Sequence, residues 1–300
     1  MDKKLEKLEQ KRQQLLQTFL KHSRIGIIFL VIAIVLFVAS FIGGGLIPAL
    51  LIIAVITFII GIVFFAKAQS EASKYRDVIK NDLIHSLLEN EFSDVSYSPN
   101  GTIALDRING TGTVRKPDRF YGEDYIKGVY KGVQFEVSDV DLKERIETRD
   151  KNGNVVVTYE TYFKGRWYIY QYPKYFDEVL KIVEGRSSYV NRRNLEKFET
   201  ESIAFNKKFN IFSSSQQFGF YLITSLMIEK LLHLESMHRG TILYCFQNNE
   251  LHIGINDRKD YMELGIKTPL TEEALKNFMA DIDIIPAIIN EFSLNGPKFK

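Results

Sequence analysis

The residues with the clearest capacity for binding chemistry lie along one strand-like segment, from Tyr162 to Tyr172 (YFKGRWYIYQY). If this segment alternates as a β-strand, its tyrosine and basic side chains share one face and its apolar side chains share the other. A basic, tyrosine-rich surface can stack on a ligand or hold a partner. The alternative interpretation is a half-exposed sheet face that a helix covers. The six residues, called here the tyrosine-basic face, are Tyr162, Lys164, Arg166, Tyr168, Tyr170 and Tyr172.

Other chemically capable residues are not spaced as metal or phosphate sites require. His233 and His238 are five residues apart, so a helix does not present them together as i, i+4 ligands. The segment 150–154 begins like a calcium loop, but its glycine is misplaced and the closing glutamate is missing. Gly110-Thr111-Gly112 is a lone G-x-G without the remainder of a phosphate-binding loop. The sequence therefore predicts neither a metal site nor a cofactor.

Nucleophile patterns do not indicate an enzyme. There is no G-x-S-x-G elbow, and the single cysteine, Cys245, lies in an apolar strand where cysteine usually belongs to the core. Asp281 and Asp283 are two apart on a predicted helix and point in different directions, so they make a poor acid–base pair. One cysteine also excludes an internal disulfide, which suits a reducing cytosol. These observations favour a non-enzymatic protein.

Two apolar runs near the N-terminus precede the candidate binding residues and are expected to anchor this part of the chain. Residues 25–42 and 46–66 are runs of 18 and 21 residues without charge, and Gly43-Gly44-Gly45 separates them. As helices they reach about 27 and 31 Å, which matches a hydrocarbon core of about 30 Å. A cleaved signal peptide would have a short basic region and a small-residue cleavage site, whereas here 24 residues precede the first run and a second run follows at once. A buried soluble hairpin is the other alternative, but core helices rarely contain two uncharged spans this long. The pattern predicts a transmembrane helical hairpin.

Charge predicts the orientation of this hairpin. The segment before residue 25 has seven basic and three acidic residues, and Lys67, Lys74, Arg76 and Lys80 follow the second run. The turn between the runs is uncharged. Because basic flanks stay on the cytoplasmic side, we expect a multi-pass protein of the cell membrane with both termini cytoplasmic. After residue 24 the net charge is −2, without the basic bias of a nucleic-acid-binding protein.

Apolar residues with a helical period flank both runs, and polar and charged residues fill the opposite faces. The pattern predicts that both spans extend into the cytosol as helices that pack on each other. The alternative is a basic helix lying on anionic lipid. We therefore expect a helical hairpin over residues 1–92 and a cytosolic domain over residues 93–300, with a subdivision into 93–184 and 185–300 left open.

The residues after 92 show patterns of short strands and helices. A strand over 130–138 and a hairpin around Asp150–Asn154 are predicted from alternation and from the Asn-Gly pair. Pro173 is expected to end the next strand, a short helix to follow over 175–183, and a second hairpin to turn at Asn248-Asn249. Thr224 or Ser225 and Thr271 are expected to cap helices. Strands do not alternate with helices, so the fold class is α+β with an antiparallel sheet.

Four stretches of this sequence resemble the DUF3137 family of bacterial membrane proteins. They are residues 122–142 (GEDYIKGVYKGVQFEVSDVDL), 162–176 (YFKGRWYIYQYPKYF), 205–232 (FNKKFNIFSSSQQFGFYLITSLMIEKLL) and 249–264 (NELHIGINDRKDYMEL). The likeness covers most of residues 118–292. The resemblance implies two N-terminal spans before a cytosolic domain, and the function of the family is uncharacterised. The family often has Thr-Pro where this chain has Thr224-Ser225, and the resemblance supplies no catalytic residue.

The functional expectation is a membrane-anchored cytosolic binding or scaffold module that acts through protein–protein contacts at the inner face of the membrane. Its partners would be the lipid bilayer and either another protein or further copies of the chain. The alternative is an enzyme acting on a membrane-associated substrate. A channel or transporter subunit is disfavoured because the spans contain no ionisable residue.

Overall fold

The computed structural model describes residues 3–41, 47–185 and 189–300. The chain divides into two compact units, a helical unit (Met1–Ile84 and Glu263–Phe278) and a sheet unit (His85–Met262 and Met279–Lys300). All described strands belong to the sheet unit. Two long apolar helices followed by an antiparallel sheet with helices confirm the predicted α+β class.

The helical unit is built on α1 (Lys3–Ala39) and α2 (Pro48–Val78), and α2 continues into a π-helical stretch, Ile79–Ile84. Both helices are long and apolar enough to cross a membrane, and only 11% of the apolar stretch of each is buried. A core helix of a soluble protein would bury a full stripe, so this exposure supports membrane association. The predicted turn at Gly43–Gly45 lies outside the described residues.

Small residues let α1 and α2 approach closely. A Cβ added to Gly26 would lie 2.9 Å from the Phe65 ring, and one added to Gly61 would lie 3.1 Å from the Leu30 side chain. Small residues of this kind let two helix backbones come close enough for van der Waals packing, as is common between helices in membranes. The two glycines therefore lie where α1 and α2 are in close contact within their apolar part.

The helical unit also holds the segment Glu263–Phe278 through polar contacts. Arg12 interrupts the apolar stripe at the start of α1 and is nevertheless buried. Its guanidinium donates to both carboxylate oxygens of Glu9 (2.6 and 2.7 Å) and to the Ile266 carbonyl (2.8 Å). Glu9 also accepts from the backbone N–H of Leu270 at 3.0 Å. The ion pair is thus satisfied, and it joins α1 to residues distant in sequence.

In the described part of the chain, seven antiparallel strands make the sheet, in the order β1-β2-β3-β4-β6-β5 with β7 along the opposite edge of β4 from β3. The strands are β1 (Ser93–Ser98), β2 (Arg119–Tyr130), β3 (Val133–Arg149), β4 (Val155–Glu184), β5 (Glu196–Phe198), β6 (Phe209–Ser213) and β7 (Thr241–Asn256). The further helices are α3 (His85–Glu91), α4 (Leu105–Gly110), α5 (Ile203–Lys208), α6 (Gln216–Leu222), α7 (Ser225–Ser236) and α8 (Glu272–Phe292).

β4 is one strand of 30 residues, so the predicted end at Pro173 and the predicted helix over 175–183 are both wrong. The pairing of β4 with β7 is interrupted between Gln171 and Phe176 and again between Phe176 and Leu180. Pro173 falls in the first interruption, where no ladder hydrogen bond needs its missing N–H. The strand therefore passes through the proline.

The predicted hairpin at Asn248-Asn249 is also wrong, because β7 is one continuous strand whose residues from Leu243 to Ile255 lie along β4. Asn248 does take the left-handed conformation, with φ of 53°, and it lies opposite Phe176. A left-handed residue opposite an interrupted stretch of β4 makes a bulge, not a chain reversal.

Three local predictions are confirmed. Asp150 N–H donates to the Asn154 carbonyl at 3.0 Å, which closes the hairpin between β3 and β4. Thr224 caps α7, since its side chain accepts from the N–H of Met227. The Thr271 hydroxyl accepts from the N–H of Ala274 at 3.1 Å, in the first turn of α8. In each case a side chain or turn within a few residues decides the structure.

Candidate functional site

The structure buries most of the tyrosine-basic face. The part of α8 within the sheet unit covers it: the Tyr170 hydroxyl donates to the Ile285 carbonyl, and Arg166 Nη1 donates to the Asp281 carbonyl, each at 3.3 Å. In this structure these side chains form an interior between sheet and helix, not an open surface. The buried members, each at most 1% exposed, are Arg166, Tyr168, Tyr170 and Tyr172.

Tyr162 does not share the face of the other five residues. Leu142 pairs with Phe163 whereas Lys143 pairs with Thr161, so Tyr162 is an extra residue in β4. Such a bulge interrupts the alternation of side chains. As a result Tyr162 packs against the same apolar cluster as Phe163, on the opposite side of the sheet from Arg166.

A buried ion pair lies at the centre of the face. Arg166 Nε donates to Asp139 Oδ1 at 2.7 Å, and the guanidinium lies 4.3 Å from the centroid of the Tyr261 ring. The other oxygen of Asp139 accepts from the N–H of Tyr261 at 2.8 Å. Burial is the largest single influence and lowers the pKa of Arg166, but the charge and hydrogen bond of Asp139, together with Tyr168 and Asp281, outweigh it and raise this pKa above its ordinary value. Arg166 therefore remains a cation inside the unit.

The loop 257–262 (DRKDYM) is held on this ion pair in an unusual backbone conformation. Arg258 and Met262 have φ of 61° and 56°, which side chains with a Cβ rarely adopt. The N–H of Arg258 donates to the Lys164 carbonyl at 2.9 Å, and the Tyr261 hydroxyl donates to Asp257 Oδ2 at 2.5 Å. Contacts on several sides thus hold two left-handed residues in place, an arrangement that marks candidate functional loops.

A charged cleft of about 270 Å³ opens beside this loop. Lys164 Nζ lies 2.8 Å from Asp260 Oδ1, and this hydrogen bond raises the pKa of Lys164 and keeps it protonated. Asp141 is paired with Lys143 at 3.2 Å. The cleft can therefore present an ordered set of charges to a ligand. Its charged lining consists of four carboxylates and two ammonium groups: Glu123, Asp139, Asp141, Asp260, Lys164 and Lys259.

The opposite side of the sheet carries a histidine network that is closed on itself. The Trp167 indole N–H donates to His252 Nδ1 at 3.4 Å, so Nε2 carries the ring hydrogen and donates to Glu250 at 3.0 Å. Glu250 also pairs with Arg107 at 2.7 Å, and Arg107 pairs with Glu136 at 2.6 Å. Both ring nitrogens are thus used within the protein. His252 is consequently a structural histidine, without a lone pair for a metal or a substrate proton.

This network predicts how stability changes with pH. Burial lowers the pKa of His252 below the ordinary 6.5, although Glu250 opposes the shift. As the pH falls below about 6.5 the unfolded chain binds a proton that the folded chain does not, so the free energy of unfolding decreases, by up to about 1.4 kcal/mol per pH unit. Thermal unfolding between pH 7.5 and 5.5 should show this decrease, and His252→Gln should flatten it. Equal pH dependence in both proteins would contradict the assignment. His238, whose pKa burial also lowers, accounts for a remaining slope.

Cys245 is fully buried, as the sequence predicts for a core cysteine. Burial raises the pKa of its thiol to about 12, which keeps it neutral and unreactive.

A family model described as "Protein of unknown function (DUF3137)" matches residues 161–294. No curated protein matches the sequence. Among solved structures, the crystal structure of the mycobacterial trehalose monomycolate transport factor A, TtfA, matches with a TM-score of 0.38 and 7% identity, over 72% of this chain and 97% of that chain. A likeness at this level carries no argument about function. The family match begins at Thr161 and covers most of β4, all of β7 and the loop 257–262, and it confirms the resemblance of this chain to the DUF3137 family.

Proposed function

We propose that this protein is a membrane-anchored binding module that holds a protein partner through the charged cleft at the inner face of the membrane. The observation that carries the proposal is the cleft itself, which lies against a loop fixed on the buried pair of Arg166 and Asp139. Paired, ordered charges suit recognition, since they set specificity without further rearrangement.

The charge of the groups that line the cleft indicates the chemistry of the partner. Four carboxylates and two ammonium groups line the cleft, so the lining itself carries more negative than positive groups; Arg166 and Lys143, which pair with Asp139 and Asp141, lie outside the lining. A partner segment with lysine or arginine side chains would complement this lining. Tyr121, which is 53% exposed at the cleft, already has Lys143 Nζ 5.3 Å from its ring centroid, so its position suits contact with a cation.

The proposal includes a topology. The two apolar helices support membrane association, and the basic residues flanking them support cytoplasmic termini with residues 93–300 in the cytosol. Protease added to intact cells is expected to leave these residues uncut and to cleave them in inside-out vesicles. Cleavage in intact cells would contradict the cytosolic placement.

Site-specific photocrosslinking in native membranes tests the partner. A photoreactive phenylalanine analogue at Tyr121 is expected to capture one recurrent protein, identified by mass spectrometry. The same analogue at Tyr175, which is 62% exposed and outside the cleft lining, is the control. Identical products at both positions would contradict a partner site in the cleft.

A charge reversal in the cleft tests whether the partner is recognised by the charge of the cleft. Asp260→Lys removes an exposed carboxylate and is expected to reduce the Tyr121 crosslink at least about tenfold, because a basic partner would then face a like charge. Unchanged crosslinking in a folded Asp260→Lys protein would exclude charge recognition in the cleft.

A further inference from the structure

The hairpin of β3 and β4 extends beyond the rest of the sheet. The first residue of β2, Arg119, lies opposite Lys143, and β7 reaches no further along β4 than Arg166. Residues 144–149 pair only with residues 155–160 among the described strands. Among the described residues, this two-stranded extension, called here the arm, has one backbone edge along each strand that no further strand pairs with.

Hydrogen bonds at the base of the arm show which backbone groups point outward. The N–H of Asp118 donates to the Lys143 carbonyl at 2.9 Å, and the Asp118 side chain accepts from the N–H of Arg145 at 2.8 Å. Odd-numbered residues of β3 therefore direct their backbone groups away from β4. Because Arg145 lies opposite Tyr159, the odd-numbered residues 155–161 of β4 do the same on the other edge.

The two edges of the arm differ in character. The β3 edge carries Arg145, Glu147 and Arg149, and charges of this kind discourage pairing with another strand. The β4 edge runs through Val155 to Tyr159 (VVVTY) without a charge, and Val155, Val156 and Val157 are 56%, 42% and 40% exposed. An open edge rich in β-branched residues is a template for another strand.

We infer that a second copy of this chain occupies the β4 edge, as an antiparallel pair with Thr158 opposite Thr158 at the two-fold axis. In this register residue 155 faces 161 and residue 157 faces 159, so all four outward-facing residues are paired. Glu160 faces Val156, and no two charged residues face each other. The edge ends at Thr161, since Asn256 Nδ2 already donates to the Tyr162 carbonyl. An isologous dimer of this kind is self-complementary by symmetry.

Other registers use the edge less well. Moving the axis to Val157 places Thr161 opposite Gly153 in the turn and leaves one outward-facing residue without a strand partner. Moving it to Tyr159 places Val157 opposite Thr161 and leaves Val155 beyond the end of the open edge. The Thr158 register alone pairs residues 155–161 throughout.

Cysteine crosslinking tests the pairing in full-length protein in membranes. Even-numbered residues form the close, non-hydrogen-bonded pairs, with Cα atoms about 4.5 Å apart, which is within disulfide range. Thr158→Cys is therefore expected to give a disulfide-linked dimer with copper phenanthroline and air, while the buried Cys245 stays silent. Thr148→Cys, a threonine on the other strand of the same arm, is the matched control and is expected to stay monomeric. Dimer yield at residue 158 no greater than at residue 148 would overturn the inference.

A second variant tests the edge without an added thiol. Val157→Lys places a charge on the open edge and is expected to weaken dimerisation at least tenfold by sedimentation or light scattering of the detergent-solubilised chain. Val157 is exposed, so thermal unfolding should stay unchanged. A dimer of wild-type stability in this variant, or a wild-type chain that is monomeric at micromolar concentration, would overturn the inference. Neither result depends on the Tyr121 crosslink, so the two proposals fail separately.

Discussion

Replacing Arg166 with methionine is expected to lower the free energy of unfolding of the sheet unit by about 3–5 kcal/mol. The variant leaves the Asp139 carboxylate buried, where it retains the N–H of Tyr261 but loses its counter-charge. Removing one member of a buried ion pair costs more than the pair contributes, because the remaining charge is poorly solvated. Trp167 is the single tryptophan and is fully buried, so its fluorescence reports unfolding of this unit in the detergent-solubilised chain.

The same strand supplies a matched control. Lys164→Met also removes a cation from an ion pair, but Lys164 and Asp260 are 33% and 53% exposed. Water solvates the remaining carboxylate, so the loss is expected to be below about 1 kcal/mol. Equal losses in the two variants would show that burial does not set the cost.

The double variant separates the pair from the packing. Arg166→Met with Asp139→Asn removes both charges, and its loss is expected to be smaller than the sum of the single losses by about 1–3 kcal/mol. Additive losses would contradict coupling between the two side chains. Coupling matters for function because Asp139 also holds the backbone of Tyr261, so this ion pair orders the loop 257–262 beside the cleft.

Features decided by neighbouring residues were predictable from the sequence. The two apolar runs, the helix caps at Thr224 and Thr271 and the turn at Asp150–Asn154 each depend on local chemistry, and the structure contains all that lie within its described residues. The merging of segments into β4 and β7 was not predictable in this way. Pro173 and Asn248 are local breaking signals, but the long pairing of the two strands accommodates both as irregularities.

Only part of the candidate site can be read from the sequence. Strand alternation points to Lys164 and Arg166, but their environment depends on Asp139 in β3, Tyr261 in the loop and Asp281 in α8, which are distant in sequence. The one available signal was the charged segment DRKDYM directly after a strand, where polar residues with aromatic neighbours often form a binding loop. Burial under α8 is a tertiary contact that strand alternation does not report.

Replacing Gly165, which lies in the same strand as Arg166, is expected to cause the other large loss of stability. Its φ is +149°, a conformation that side chains rarely adopt, and a Cβ there would lie 2.1 Å from the Ile255 carbonyl oxygen. The obstacle is backbone of the paired strand β7, so it cannot move aside as a flexible side chain would. Gly165→Ala is therefore expected to cost about 3–5 kcal/mol, from backbone strain together with the clash.

Gly132→Ala isolates the strain from the clash. Gly132 also has positive φ, +80°, but nothing lies within 4 Å of its added Cβ, so its loss is expected to be about 1–2 kcal/mol. Thermal unfolding followed by Trp167 fluorescence compares the two alanine variants directly. If they lose the same stability, β7 must shift from Gly165 at little cost. The cleft, which Gly165 lines, would then be more adaptable than its ordered ion pairs imply. A larger loss at Gly165 would instead mean that the floor of the cleft is held rigidly between β4 and β7, as a pre-organised binding site requires.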